Sequence, residues 1–317
     1  MSVVSNTVDV ARRRLDVLGL GCTAVDELLY VQAIPPADGK ARVLRSERQC
    51  GGLTATALVA ASRLGARCAF AGMLGEDDLS HFVEATLVRE GIETATIVRD
   101  SAAAPVHSRI AVAADGARTI YFQFGTLLGA HDTRPDEATL ASARVIFIDQ
   151  YGMKGNLRAA TIARKNGVAI VADMEDDSDP LFGQVLAAVD HLVLSQDFAL
   201  HLTRANNASD AAKALWAAGR KAVVVTCGAN GCWYLDEGMA GNPQHQKAFA
   251  VEVVDTTGCG DVFHGAYATA VARGMALPER IRFASAAAAM KATRPGGQTG
   301  IPTLSQLQEF LKTAQLR

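Results

Sequence analysis

The sequence has no long hydrophobic run and no excess of either charge, and these absences exclude several classes of protein. No apolar stretch approaches the roughly 20 residues that span a bilayer, so we expect no membrane partner. The 31 basic and 33 acidic residues nearly balance. A balanced charge argues against nucleic acid or another polyanion as a partner.

Paired cysteines and aromatic residues are also scarce. The six cysteines form no C-x-x-C pair and have no histidine partner at zinc spacing, which argues against a structural zinc site and predicts a reducing, cytoplasmic location. Aromatic residues make up 6% of the chain and give little sign of a base-stacking substrate pocket. Residues 1–13 lack the apolar core of a signal peptide, so we expect a disordered tail there.

What the sequence does contain is a regular alternation of short apolar runs and amphipathic stretches. This alternation indicates βαβ units and a parallel sheet covered on both faces, an α/β fold. The predicted strands are Leu15–Leu20, Cys68–Met73, Val145–Ile148, Val168–Ala172, His191–Leu194 and Ala222–Thr226. The predicted helices are Thr54–Leu64, Leu79–Glu90, Leu157–Asn166 and Ser209–Ala218.

Two segments interrupt the alternation. Residues 27–50 contain Pro35-Pro36, and residues 95–124 contain β-rich runs around an Asp115-Gly116 turn, which is a hairpin signal. We predict that both form a small antiparallel sheet projecting from the main domain as a lid. The core would then comprise residues 14–26, 51–94 and 125–317.

The segment Val253–Ala266 carries the strongest chemical signal. Gly258 and Gly260 flank the small residue Cys259, and Asp261 follows at the start of an apolar run. A helix beginning near Gly258 would point its free amides and the positive end of its dipole at an anion. Asp261 would then accept the proton of an attacking hydroxyl, while the three amides hold charge on a phosphoryl group. The alternative is a Gly-rich turn in which Asp261 only complements the helix dipole.

This segment resembles the signature D-T-x-G-A-G-D-x-F of the ribokinase-like (PfkB) carbohydrate kinases, with Cys259 in place of the usual alanine. The resemblance implies a three-layer αβα sandwich around a mostly parallel sheet, with a small inserted β-sheet lid. It implies ATP and Mg²⁺ as cofactors, a sugar as substrate and a homodimer formed through the lid. A dependence on a monovalent cation is left open.

The same resemblance assigns binding roles along the chain. Asp26 matches a carboxylate that binds sugar hydroxyls. A di-glycine at a helix start, which packs against the sugar, is matched by Gly51 and Gly52 together with Thr56. At the position of Thr56 the family usually has asparagine. Taken alone, these residues could equally be a strand end and a helix cap. The resemblance places the following residues beside ATP: Thr226, Gly228, Gly231, Thr257, Ser285 and Gly297.

The magnesium ligands and the sugar are less well defined. The family's N-x-x-E pattern is missing at Ser195–Phe198, so we predict Asp173 and Glu175 as metal ligands, with an acidic surface loop as the alternative. Residues 254–266 and 282–302 are most similar to the branch that contains sulfofructose kinase, which also has a lysine at Lys40. This resemblance implies that Lys40 and Gln123 bind the substrate, with Lys40 holding an anionic or strongly polar group of it. Gln123 stands where that kinase has asparagine and Tyr151 where it has arginine.

Because Tyr151 replaces the arginine that would pair with an anionic group, we expect a neutral ketose or pentose as substrate rather than a sulfonated sugar. Two other functions stay open. One is a catalytically weak regulator that binds sugar or nucleotide on the same fold, suggested by the missing N-x-x-E pattern. The other is a nucleoside kinase.

Overall fold

The structure is a computed structural model that describes residues 13–115, 117–217, 219–239 and 241–317. The predicted tail therefore lies outside the described residues except for Arg13. Arg13 corrects that prediction, because it is buried and its guanidinium donates hydrogen bonds to the main-chain oxygens of Ala143, Asn166 and Gly167. Within the described ranges, no helix is both long and apolar enough to cross a membrane.

The strands form one large sheet, one small sheet and a two-stranded ladder. The large sheet has the order β14-β13-β12-β11-β10-β9-β1-β4, parallel except at β13 and β14. In chain order the strands are β1 Leu15–Leu20, β2 Ala24–Val31, β3 Val43–Gly51, β4 Cys68–Phe70, β5 Met73–Leu74, β6 Val98–Arg99, β7 Val106–Ala113, β8 Arg118–Gln123, β9 Ala143–Ile148, β10 Ala169–Asp173, β11 His191–Ser195, β12 Ala222–Thr226, β13 Cys232–Leu235 and β14 Gln244–Gln246.

Helices cover both faces of the large sheet. They are α1 Leu53–Arg63, α2 Asp78–Arg89, α3 Glu137–Ala141, α4 Met153–Lys165, α5 Phe182–Ala188, α6 Gln196–Thr203, α7 Ala208–Ala214, α8 Cys259–Ala272, α9 Leu277–Ala292 and α10 Leu304–Thr313. Alternate residues of each buried strand pack into two cores: Val145 and Phe147 of β9 face α1, α8 and α9, whereas Ile146 and Ile148 face α4 to α7. This is the predicted αβα arrangement, produced by the period of two along a strand.

The small sheet differs from the prediction in one pairing. Its order is β3-β2-β7-β8, and β2 pairs with β7 in parallel, so the sheet is mixed rather than antiparallel. The pairs β2-β3 and β7-β8 are antiparallel and consecutive within this sheet. The parallel pair β2-β7 is joined by a long stretch of chain, because parallel strands need a crossover connection. Residues 95–105 lie outside this sheet, since β6 pairs with β5 instead.

The predicted strands are confirmed to within a few residues, except that the strand predicted over Cys68–Met73 is divided into β4 of the large sheet and β5, which pairs with β6. Two helix boundaries also differ. The helix predicted from Leu157 begins at Met153, because Gly152 in the left-handed region starts it four residues earlier. The helix predicted over Ser209–Ala218 ends at Ala214. Asp77 caps α2, and its side chain accepts hydrogen bonds from the amides of Leu79 and Ser80.

Candidate active site

Carboxylates gather where the parallel strands of the large sheet end. Asp149 follows β9, and Asp173 is the last residue of β10. Because neighbouring parallel strands end at one edge, these side chains share that edge with the start of α8. The sheet topology thus brings Asp173 close to Asp261, which lies 88 positions away in the sequence.

The turn formed by residues 256–260, which is predicted to bind an anion and is called the anion turn below, has the expected backbone shape. Gly258 adopts φ 74° as the residue before α8, and a Cβ there would lie 2.7 Å from the main-chain oxygen of Gly297. Glycine is therefore needed both for the conformation and for the close packing. The Cys259 amide already donates to the oxygen of Thr256 at 3.1 Å. Of the three predicted amide donors, Cys259 thus has a partner inside the turn.

Asp261 lies in the first turn of α8 and is partly exposed. Burial raises the pKa of Asp261 well above its ordinary value, the charges of Asp173 and Glu175 raise it further, and His264 opposes the rise. A raised pKa makes this carboxylate a better proton acceptor than an ordinary aspartate while it remains ionised. Its position and environment suit a general base.

Sequence reasoning missed Asp149, the most thoroughly bonded carboxylate of the site. Its Oδ2 accepts from the Cys22 amide at 2.7 Å and the Thr54 hydroxyl at 2.8 Å, and its Oδ1 accepts from the Tyr151 amide at 2.9 Å. Burial nevertheless raises the pKa of Asp149 to about 6. An acidic residue directly after the buried run Val145–Ile148 was the available signal, the same one that pointed to Asp173.

Asp173 and Glu175, the predicted metal ligands, differ in their surroundings. Asp173 is buried with its Oδ2 3.2 Å from Nδ1 of His264, whereas Glu175 is exposed. In the described part of the chain, no three His, Cys, Asp or Glu side chains form a cluster that could hold a metal. Mg²⁺ bound with phosphates needs only one or two protein carboxylates. The converging carboxylates, which raise one another's pKa, fit a cation carried in by a nucleotide.

The missing N-x-x-E pattern has a structural counterpart. Ser195 caps α6, and its hydroxyl accepts a hydrogen bond from the Phe198 amide at 3.3 Å, while the Phe198 side chain is buried. This place supplies a helix cap and a core residue. It offers no carboxylate at the position of Phe198.

Most residues predicted beside the nucleotide line one cavity of about 380 Å³. Its walls are mainly apolar and include small residues of α9, which leave room for a flat ring system. The cavity extends to Cys259 and Gly260 at the start of α8. The predicted residues that line it are Thr226, Gly228, Gly231 and Ser285. Gly297 instead packs on Gly258, and Thr257 lies on the exposed side of the anion turn.

Asp26 of β2 lies beside Gly51, the last residue of the neighbouring strand β3, and Gly52 follows as the residue before α1. A Cβ on Gly51 would lie 2.8 Å from Oδ2 of Asp26, and one on Gly52, at φ 95°, would lie 2.6 Å from Cα of Thr23. The glycines are therefore required by packing within the protein. Burial raises the pKa of Asp26, and a hydrogen bond from Ser108 opposes that rise.

The remaining predicted substrate residues are Thr56, Lys40 and Gln123. Thr56 is buried, and its hydroxyl accepts from the side chain of Gln298 at 3.3 Å. Lys40 is exposed in the loop between β2 and β3. Gln123 pairs with His107 and so with Val25, which puts it on the face of the small sheet opposite to Asp26. The face on which Gln123 lies depends on the pairing of β2, β7 and β8, and the sequence pattern does not specify that pairing.

Comparison with known proteins gives a consistent family. A family model described as pfkB family carbohydrate kinase matches residues 16–304. The ribokinase of Haemophilus influenzae is 32% identical over 272 residues, covering 83% of this chain and 88% of that protein. The fructokinase of Solanum tuberosum is 29% identical over 279 residues, covering 83% and 86%.

Solved structures share the fold. The Arabidopsis thaliana ribokinase complexed with ribose and ATP superposes with a TM-score of 0.82 at 22% identity, covering 94% of this chain and 99% of that one. At this identity the likeness shows the fold alone. Structures of the same fold include complexes with ATP and with ATP and Mg²⁺, the cofactors of these kinases.

Proposed function

The chain belongs to the pfkB family of carbohydrate kinases, and we propose that it transfers the γ-phosphoryl group of ATP to a primary hydroxyl of a neutral ketose or pentose. Phosphotransfer to an alcohol follows from the family. The observation that carries the finer proposal is the cavity that ends at Cys259 and Gly260, directly before Asp261. A nucleotide in that cavity would have its phosphates at the anion turn.

Asp261 is the proposed general base. The sugar lies beside Asp26, whose carboxylate accepts hydrogen bonds from two hydroxyls and so orients the ring. Asp261 takes the proton of the attacking hydroxyl, and the raised pKa supports this role. General-base assistance contributes roughly 10²–10⁴ in rate.

The anion turn stabilises the transferring phosphoryl group. The amides of Gly258 and Gly260 and the positive end of the α8 dipole hold its charge, with the Cys259 amide shared with Thr256. Mg²⁺ brought with ATP would neutralise the phosphates, with Asp173 and Glu175 as its protein ligands. The small sheet would cover the sugar and exclude water, which limits hydrolysis of ATP.

We further propose that two copies pair through the small sheet. Its outer strands β3 and β8 carry exposed apolar side chains, and both are edges of the sheet. Exposed apolar groups on an edge strand favour association with a second copy. The exposed residues are Val43, Leu44, Ile120, Tyr121 and Phe122.

The proposal is tested by coupled ADP release with ATP and Mg²⁺ against ketoses, pentoses, keto-deoxy acids, nucleosides and sulfofructose. We expect turnover of one neutral sugar and a loss of kcat of about 10²–10⁴ in Asp261→Asn. The control is Asp210→Asn, which removes an exposed carboxylate from the first turn of α7 and should leave kcat unchanged.

Each other outcome points to a different function. Retention of more than about a tenth of the rate by Asp261→Asn would exclude it as the general base. Preferred turnover of sulfofructose would support the branch that residues 254–266 and 282–302 resemble, and preferred turnover of a nucleoside would support a nucleoside kinase. No turnover, with sugar or ATP still bound in calorimetry, would support a regulator.

A further inference from the structure

Lys291 is completely buried although its side chain is a cation. It lies in the last turn of α9 with 0% relative exposure, and its Nζ donates to the main-chain oxygen of Asp255 at 2.9 Å. An ammonium is costly to bury unless it is paired. Burial lowers the pKa of Lys291 and the charge of Arg118 lowers it further, while the carboxylates of Asp255 and Asp261 oppose this. The chain thus keeps an ammonium directly behind the anion turn.

The surroundings of this ammonium suit a cation. The Asp255 carboxylate accepts from the amides of Thr257 at 2.9 Å and Gly296 at 2.8 Å. Burial raises the pKa of Asp255, but these bonds and the charge of Lys291 lower it overall, so the group is ionised. The C-terminal end of α9 adds its negative dipole. A carbonyl, a carboxylate and a helix end therefore surround the site.

The end of α9 and the loop after it hold the main chain at Lys291 close to the segment before the anion turn. The oxygen of Ala292 accepts from the amides of Val254 at 2.8 Å and Asp255 at 3.1 Å. A Cβ on Gly300 would lie 2.5 Å from the main-chain oxygen of Lys291, so only glycine lets this loop pack so closely. The lysine is held in a fixed position relative to the anion turn.

We propose that the Lys291 ammonium provides, next to the anion turn, the positive charge that a bound monovalent cation would otherwise supply. Turnover then requires no added monovalent cation. This inference rests on the proposed function. The bond to Asp255 fixes the peptide at the start of the turn, and the fixed positive charge favours negative charge developing on the phosphoryl group at Gly258 and Gly260. Lys291 acts through the turn and is a positioning residue.

The test compares wild type with Lys291→Ala and Lys291→Met, in buffers whose cation is tetramethylammonium, K⁺, NH₄⁺ or methylammonium. The alanine variant loses the charge and leaves space for a small cation, whereas methionine fills the space without a charge. We expect the wild-type rate to be the same in all four buffers. In tetramethylammonium both variants should lose about 10- to 100-fold in kcat, with little change in KM for the sugar. Small cations should restore Lys291→Ala but not Lys291→Met.

Thermal unfolding gives a second measurement that needs no turnover. A cation that binds the native Lys291→Ala protein should raise its Tm with concentration, and the Tm of wild type and Lys291→Met should respond less. Lys312→Ala removes an exposed lysine of α10 and controls for the loss of one charge. If no substrate is phosphorylated, the proposed function fails, and the Tm series still tests the cation site.

Three results would overturn the inference. The first is a wild-type rate that K⁺ raises by more than about tenfold. The second is a folded Lys291→Ala that keeps kcat within about threefold of wild type in tetramethylammonium. The third is a loss that no small cation restores, with no response in Tm. The wild-type cation series can overturn the inference even if neither variant folds.

Discussion

Arg118 of the small sheet donates a hydrogen bond of 3.0 Å to the hydroxyl of Thr257 in the anion turn. The two residues are 139 positions apart, and this bond connects β8 with the turn before α8. A guanidinium therefore stands beside the amides that would hold the phosphoryl group. The position of the small sheet and the charge at the reaction centre are coupled through this contact.

Replacing Arg118 with glutamine should weaken catalysis without unfolding the protein. The variant keeps a hydrogen-bond donor but loses the charge, and we expect kcat/KM for the sugar to fall about three- to tenfold, as for a partly screened charged bond. Steady-state kinetics with saturating ATP measure this effect. Arg45→Gln, on the exposed part of β3, is the control. An unchanged kcat/KM in Arg118→Gln would mean that the contact does not survive in solution.

The acid side of the pH profile should depend on Asp173. Asp261 accepts a proton only when ionised, so kcat/KM falls as the pH falls through its raised pKa, above the ordinary value of about 4. Asp173→Asn removes a negative charge that raises this pKa, so the acid limb should move to lower pH. The measurement is kcat/KM against pH for both proteins, with Asp210→Asn as control. A limb that stays in place, or moves to higher pH, contradicts the coupling.

The crossing of α1 and α8 should not tolerate a methyl group at Gly265. A Cβ there would lie 2.0 Å from the main-chain oxygen of Ala57, whereas one on Gly260 of the same helix meets nothing within 4 Å. Gly265→Ala should lower the free energy of unfolding by about 3 kcal/mol through overpacking. Gly260→Ala should leave it unchanged or raise it by up to about 1 kcal/mol. Denaturant titrations compare them, and a loss below about 1 kcal/mol in Gly265→Ala would contradict the packing.

The features that are encoded in short runs of neighbouring residues were predictable from the sequence. The buried strands and the anion turn are each encoded in a run of neighbouring residues, so their periodicity and glycine spacing predict them directly. Gly258 needs a positive φ, and its place before an apolar helix follows from the same short segment. The alternation of strands and helices then indicates the parallel sheet, whose carboxyl edge holds Asp173.

The parts that depend on long-range contacts were not predictable in this way. The parallel pairing of β2 with β7 sets the face on which Gln123 lies, and no local pattern specifies it. Lys291 is a charged residue near a helix end, a place that is ordinarily solvent-exposed, yet the folded chain buries it completely. Thr56 is engaged by Gln298, a contact across 242 positions.

A glutamate introduced at Ile120 on β8 should dissociate the proposed dimer. Ile120 is 53% exposed on β8, an edge strand, and a glutamate in an apolar interface would be desolvated without a partner. We expect wild type to sediment as a dimer and Ile120→Glu as a monomer in sedimentation velocity at micromolar concentration. Val88→Glu, at an exposed apolar position of α2, is the control and should stay dimeric. A monomeric wild type would contradict the proposed dimer. A dimeric Ile120→Glu would place the association on another surface, because an unpaired charge in an apolar contact is strongly unfavourable.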